Sequence, residues 1–211
     1  MHDEFVQAAL RHSIWMSWNA ILALVPLALS RHLFRGEPER TTAWWAGLVA
    51  FILFLPNAPY VLTDIVHLIE DVRRVQSDAV ITLVVIPVYA IFFVIGMEAY
   101  VLAVTELSLW LRHQGVVRAG RLTIRLGLHL LCAIGIGLGR IERLNSWDTA
   151  LHPMRIMDGL ISLLSRPVWL LATFAVVTVV FNVMKVLTLG LQTWWRTFWT
   201  TPRSSGGLAG A

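Results

Sequence analysis

Five apolar runs divide the chain, at about residues 14–30, 43–58, 79–99, 122–139 and 167–190. A helix that rises 1.5 Å per residue needs about 20 apolar residues to cross a hydrocarbon core of about 30 Å. The pattern therefore predicts an all-α fold, a polytopic transmembrane helix bundle with about five spans. These spans would use roughly half of the chain and leave no room for a separate soluble domain, so we expect a single transmembrane domain over residues 1–199.

The third run is longer than one span requires. The chain stays apolar over residues 79–111, and 33 residues would make a helix of about 50 Å. Such a helix must overshoot, bend or break, and Pro87 and Gly96 are the expected bend points. Glu98 and Glu106 disfavour a second full span in the later half. We therefore expect one long helix.

Composition agrees with a surface that faces lipid. Of the 211 residues, 57% are hydrophobic and 14% are charged, which is outside the usual range of soluble domains. The expected partner is the lipid bilayer. The 17 lysines and arginines are scattered through short loops, so we expect no nucleic acid as a partner. Residues 200–211 have the composition of a disordered tail.

Charge and tryptophan placement predict an orientation. Most tryptophans stand near the proposed span ends, as in an aromatic belt. The amino terminus and the loops at 59–78 and 140–166 share one side, which carries seven of the 17 lysines and arginines, against ten on the other. Cytoplasmic loops carry the excess of positive charge. We expect the amino terminus outside and the carboxyl terminus in the cytoplasm.

The first polar stretch follows the second span. Residues Leu55–Tyr60 read Leu-Pro-Asn-Ala-Pro-Tyr and are called the proline segment below. Its two prolines must interrupt regular helix, and we expect the chain to turn there. Polar residues then recur with helical spacing, which predicts an interfacial amphipathic helix with an acidic stripe. The acidic stripe comprises Thr63, Asp64, His67, Glu70, Asp71 and Arg74.

Two interpretations of the acidic stripe stay open. Its acidity argues against an anchor on anionic lipid, because such anchors place Lys and Arg on the polar face. It is either a solvated helix face or part of a site. Asp64 and His67 lie three residues apart, close enough to orient a general base or to offer two metal ligands.

The second polar stretch follows the fourth span. Gly135 and Gly139 form a GxxxG face, which favours the close approach of another helix. Arg140, Asn145 and Asp148 come next, and both polar stretches leave the membrane on the same side. Asn145 and Asp148 are residue types that cap helices, so one interpretation is that they only mark the end of one helix and the start of the next. The alternative is that these three residues converge on the acidic stripe to form one site.

Several short sequence motifs of the two polar stretches resemble those of a known family. Residues 55–68, LPNAPYVLTDIVHL, together with Gly139-Arg140 and Leu144-Asn-Ser-Trp-Asp, resemble the bacterial membrane family Domain of Unknown Function 1361. Trp18-Asn19 fits it too. The resemblance runs from about the first span to residue 190. It implies a multi-pass protein of the bacterial cytoplasmic (inner) membrane and brings no activity. The positions that match its motif words, our candidate ligand-binding residues, are Asn57, Tyr60, Asp64, His67, Arg140, Asn145 and Asp148.

Three functions stay open, and whether the protein is an enzyme is undecided. The first is an outward-facing polar site that binds a small ligand or a partner without chemistry, since no GxSxG, HExxH or P-loop motif occurs in the sequence. The second is an interfacial metal-dependent hydrolase or transferase. A divalent metal would be its cofactor, held by Asp64, His67 and Asp148, with His152 as a further candidate and Arg140 on an anionic substrate group.

The third function is a proton-coupled transporter. Glu98 and His129 lie inside proposed spans and would form its proton relay. A structural interpretation competes with it, in which Glu98 and Glu106 pair with arginines at the start of the fourth span, namely Arg118, Arg121 and Arg125. Asn19 and Asn182 are expected to form hydrogen bonds between helices.

Overall fold

The computed structural model describes residues 13–36, 39–144 and 148–200. These residues contain helices and no strand, so the predicted all-α bundle is confirmed. Val61–Asp64 forms a 3₁₀ turn, and Ile81–Val85 forms a π-helical segment. The helices are α1 (Ser13–Phe34), α2 (Thr42–Phe54), α3 (Asn57–Tyr60), α4 (Ile65–Arg74), α5 (Asp78–Val80), α6 (Ile86–His113), α7 (Arg118–Arg140), α8 (Asp148–Leu151), α9 (Pro153–Leu164) and α10 (Pro167–Thr200).

Four helical stretches are long and apolar enough to cross a membrane, which indicates a multi-pass membrane protein. They are Thr42–Arg74, Asp78–His113, Arg118–Arg140 and Pro167–Trp199. The first predicted span, 14–30, falls within α1, whose 22 residues make a helix of about 33 Å. The predicted disordered tail lies outside the described residues, except for Thr200 at the end of α10.

The predicted long third helix is one continuous helical stretch, Asp78–His113. Its irregular part is the π-helical segment Ile81–Val85, directly before Pro87. A proline ring clashes with the carbonyl group four residues earlier in a regular α-helix. Pairing over five residues widens the backbone there and relieves the clash. Gly96, the other expected bend point, lies within the uninterrupted helix α6.

The proline segment interrupts the α-helix without turning the chain away. Pro56 and Tyr60 both keep right-handed helical dihedral angles, and the backbone first becomes extended at Val75. Pro56 is the N-cap of α3, and Pro59 lies in its first turn. Amide groups in a first turn have no partner within the helix, so proline is tolerated there. The expected turn is therefore replaced by a helical path.

The proline segment lies in the centre of the bundle. Leu55, Ala58 and Val61 are fully buried, and α3 packs against α1, α6 and α7. Three glycines make this packing possible. A Cβ atom added at Gly96 would lie 2.5 Å from Val61 Cγ2, and one at Gly135 would lie 2.5 Å from Pro56 Cβ.

Gly139 packs closely against Tyr60, the last residue of the proline segment. A Cβ atom there would lie 2.8 Å from Cε2 of Tyr60. Gly135 and Gly139 therefore act together as a face for close approach, as their spacing predicts. Between them, Gly137 points to the other side of α7, where its added Cβ would meet Leu163 and Trp169.

Helix α4 is amphipathic, and two acids of the acidic stripe, Asp64 and Asp71, are turned toward the protein. Asp64 and Asp71 are buried, with 2% and 4% of their surfaces exposed, and the Tyr89 hydroxyl donates a hydrogen bond of 3.0 Å to Asp71. The opposite face of α4 exposes four apolar side chains. These are Ile65, Val66, Ile69 and Val72. A solvated face is therefore the wrong interpretation for Asp64 and Asp71, because lipid favours apolar groups outside and polar groups inside.

The expected ion pairs between the intramembrane glutamates and the arginines of α7 are not formed in the described residues. Glu106 pairs instead with Arg35, which donates two hydrogen bonds to it from the end of α1. The hydrogen bond and charge of Glu106 raise the pKa of Arg35 above its usual value. Glu98 accepts a hydrogen bond of 2.7 Å from the Thr188 hydroxyl of α10. The prediction failed because these partners are distant in sequence.

Asn182 and His129 also differ from expectation. Asn182 donates to the Thr178 carbonyl of its own helix at 2.7 Å, so its predicted bond between helices is wrong. His129 is fully buried, and its Nδ1 lies 2.6 Å from the Tyr100 hydroxyl. Its ring packs on Phe181 with centroids 4.7 Å apart. Glu98 and His129 thus have separate partners.

The glycine packing predicts a specific sensitivity to one methyl group. We expect Gly96→Ala to lower the free energy of unfolding by about 1–3 kcal/mol, because the added Cβ would lie 2.8 Å from the Ala58 carbonyl oxygen. Gly127→Ala on α7 is the matched control, since nothing lies within 4 Å of its Cβ position. Denaturant unfolding in detergent measures both. Equal stabilities of the two variants would contradict close packing at Gly96.

Candidate functional site

A cavity of about 620 Å³ lies beside the proline segment. Its walls come from the first half of α1, the end of α2, the proline segment with Asp64 and His67, the second half of α7, the residues that follow α7, and α9. Helix packing explains its place. The proline segment and the glycine face of α7 hold their helices close together on one side, and the cavity is the space left beside that contact.

The polar part of the cavity is organised around Asp64. Its carboxylate accepts a hydrogen bond of 3.4 Å from the Asn19 amide of α1. Arg140, the last residue of α7, lies close enough for its charge to attract that of Asp64. A carboxylate this deeply buried needs such partners, because an unpaired charge in an apolar environment is strongly unfavourable. Asp64 therefore connects the start of the acidic stripe to α1 through Asn19 and lies near the positive charge at the end of α7.

His67 lies one turn farther along the acidic stripe. Its ring packs on Trp15 of α1 with centroids 4.9 Å apart, and its Nδ1 lies 3.6 Å from a Glu70 carboxylate oxygen. Asn57 and Tyr60 line the same cavity from α3. The Asn57 amide donates to the Phe54 carbonyl at 3.0 Å, which satisfies one carbonyl group at the end of α2. These contacts fix the polar wall before any ligand arrives.

Five of the seven candidate residues line this one cavity. They are Asn57, Tyr60, Asp64, His67 and Arg140. Asn145 lies outside the described residues. Asp148 begins α8 and is absent from the cavity wall. Arg140 of the second polar stretch therefore lines the same cavity as Asp64 and His67 of the first.

Sequence reasoning missed several residues of the cavity wall. Trp15, Asn19 and Arg143 all line it. Asn19 could have been found from the pair Trp18-Asn19, because this pair matches the family that the sequence resembles. Nothing in the pattern linked Asn19 to Asp64, which is 45 positions away. Arg143 has a left-handed backbone, with φ of 56°, which is uncommon for a residue other than glycine.

The described residues contain no group of three or more His, Cys, Asp or Glu side chains placed to hold a metal ion. Asp64, His67 and Asp148 therefore do not form the predicted set of ligands. Asp64 accepts a hydrogen bond from Asn19, and Asp148 lies in another element, at the start of α8. The exposed side chain of His152 precedes α9. The metal hypothesis lacks its donor set in this part of the chain.

The rest of the cavity wall is apolar. Leu22 comes from α1, Ile52 and Leu53 come from α2, and Leu131 and Ile134 come from α7. Ligand cavities usually combine such walls with a few convergent polar groups that fix the orientation of the ligand. The arrangement suits a molecule with an apolar body and a polar end.

The contact between Asn19 and Asp64 predicts a measurable loss of stability. We expect Asn19→Leu to lower the free energy of unfolding by about 1–3 kcal/mol, because a buried carboxylate loses a donor. Replacing both residues with leucine should recover part of the loss. Asn182→Leu is the matched control, because its amide bonds its own helix on an exposed face. Unfolding titrations in detergent would contradict this role of Asn19 if all three variants behaved alike.

Comparison with known proteins identifies a family and gives no activity or ligand. No curated protein and no solved structure matches the chain. A family model described as "Protein of unknown function (DUF1361)" matches residues 18–183. The match covers well over half of the chain and includes every candidate residue. The chain therefore belongs to the DUF1361 family.

Proposed function

We propose that the protein binds a small amphiphilic ligand in the cavity beside the proline segment, from the outer side of a bacterial cytoplasmic membrane. The observation that carries this proposal is the buried Asp64 carboxylate in the wall of an otherwise largely apolar cavity. Ionisable residues inside a membrane are costly and usually mark a functional site. The ligand would place its polar end near Asp64 and Arg140.

The size and wall of the cavity support binding. Its volume of about 620 Å³ lies within the usual range of ligand cavities, about 300–1,000 Å³. Asn57, Tyr60 and His67 add donors and acceptors around Asp64, and the walls from α1, α2 and α7 add apolar contacts. The polar side chains are held by neighbours, so little conformational entropy would be lost on binding.

Neither alternative has an observation in its favour. A metal-dependent hydrolase or transferase would need a donor set that the described residues lack. A proton relay would need Glu98 and His129 to share a path, whereas Glu98 bonds Thr188 and His129 bonds Tyr100. Binding is the function that the cavity supports best.

Filling the cavity tests the proposal. We expect organic extracts of purified protein to contain about one copurified small molecule per chain, and Ile134→Trp to reduce it about five-fold or more, because the indole would occupy the cavity. Mass spectrometry of the extracts measures the ratio. Leu126→Trp is the matched control, since Leu126 is exposed two turns earlier on α7. An equal yield from both variants would refute ligand binding in this cavity.

The proposed orientation has its own test. We expect a cysteine introduced at Ser77 to react with a membrane-impermeant maleimide in intact cells, and one at Val117 to react only after lysis. The two positions lie in connections at opposite ends of the helical stretch Asp78–His113. The native Cys132 is fully buried and should give little background. Labelling of Val117→Cys in intact cells would reverse the orientation and place the cavity on the cytoplasmic side.

A further inference from the structure

The cavity lies between α1 and α2 on one side and α7 and α9 on the other. Helix α1 packs extensively on α2 and α6, and α7 packs on α10 and α9. Among the described residues, no extensive packing joins α1 or α2 to α7 or α9. The bridge between the two sides is α3, which contacts both α1 and α7, together with α6, which also packs on both. A gap between α2 and α7 therefore lies beside the bridge.

The edges of this gap are apolar and partly exposed. Ile52 of α2 and Trp18 of α1 line the cavity, and 37% and 52% of their surfaces are exposed. Leu131 and Ile134 line the facing wall on α7. All these positions lie within helices of spanning length, so acyl chains would reach the gap. A path from the hydrocarbon into the cavity would therefore pass between apolar side chains.

The other end of the cavity carries positive charge. Arg140 and Arg143 line it at the carboxyl end of α7, about 14 Å along the helix from Leu131. Asp64 is the one carboxylic acid among the described wall residues, so it can offset at most one of these two charges. Arginines also favour helix carboxyl ends through the helix dipole, so their presence alone would indicate nothing. Their place at the polar end of an otherwise largely apolar cavity is the informative feature.

We propose that the ligand is an anionic membrane lipid that enters sideways between α2 and α7. Its phosphate would lie against Arg140 and Arg143, since guanidinium groups bind phosphate with paired hydrogen bonds. An acyl chain would leave the cavity past Ile52 and Ile134 into the bilayer. This inference rests on the proposed function and adds both the ligand class and the route of entry.

Photocrosslinking in nanodiscs tests this inference. The probe is phosphatidylglycerol with a diazirine in one acyl chain, compared with phosphatidylcholine carrying the same chain. We expect about five-fold more crosslinking by the anionic lipid, with modified peptides that contain Ile52 and Ile134. Excess unlabelled phosphatidylglycerol should compete, and soluble glycerol phosphate at the same concentration should not, because it has no chain to fill the apolar walls.

Paired arginine variants give the matched control. Arg140→Gln with Arg143→Gln should reduce crosslinking by phosphatidylglycerol to the level of phosphatidylcholine. Arg73→Gln with Arg74→Gln removes the same charge from the end of α4, away from the cavity wall, and should leave it unchanged. If the first double variant fails to fold, Arg143→Gln alone keeps the test, because that side chain is exposed.

The outcomes separate this inference from the proposed function. Equal crosslinking by both lipids, or modified peptides spread evenly over the lipid-facing helices, would overturn the lipid assignment. If a water-soluble molecule copurifies and is lost in Ile134→Trp, ligand binding stands and the lipid assignment fails. If nothing copurifies and Ile134→Trp has no effect on crosslinking, both fail. Selective crosslinking that Ile134→Trp abolishes supports both.

Discussion

The fold depends on the close packing of the proline segment between helices that carry glycine where they meet it. Gly96 admits Val61 and the Ala58 carbonyl from one side, and Gly135 admits Pro56 from the other. Larger residues at these glycines would push the helices apart, because side chains buried here leave almost no free space. The cavity lies beside this contact, where, among the described residues, α3 and α6 are the elements that connect α1 with α7.

The packing of the proline segment also determines where the acidic side chains that follow it lie. Since the helical path continues beyond the proline segment, Asp64 is carried into the interior instead of being released to water. Lipid then selects which face of α4 turns inward. Asp64 finds Asn19 and Arg140, and Asp71 finds the Tyr89 hydroxyl. Each buried acid thus holds a separate element against the acidic stripe, so the polar groups also specify the packing of the bundle.

Helix lengths and periodic patterns could be predicted from the sequence. Whether a given helix face meets water, lipid or the protein interior could not. Run lengths predicted the long helices, and the spacing of Gly135 and Gly139 predicted close packing. Periodicity also predicted the acidic stripe, yet a helical pattern is the same whether its polar face meets water or a protein interior. Partners distant in sequence, such as Arg35 for Glu106, leave no local signal. The sequence therefore predicted which residues belong to the site, and it did not predict which residues contact one another.

The short 3₁₀ turn at Val61–Asp64 sets the rotation of everything that follows it. A 3₁₀ helix turns by about 120° per residue and an α-helix by about 100°, so these four residues rotate α4 by about 80° beyond a uniform helix. At this rotation Asp71 faces inward. Adding or removing one residue between Tyr60 and Ile65 would rotate His67 and Asp71 toward lipid while leaving the composition of α4 unchanged. The length of this connection is therefore as constrained as the identity of the acids beyond it.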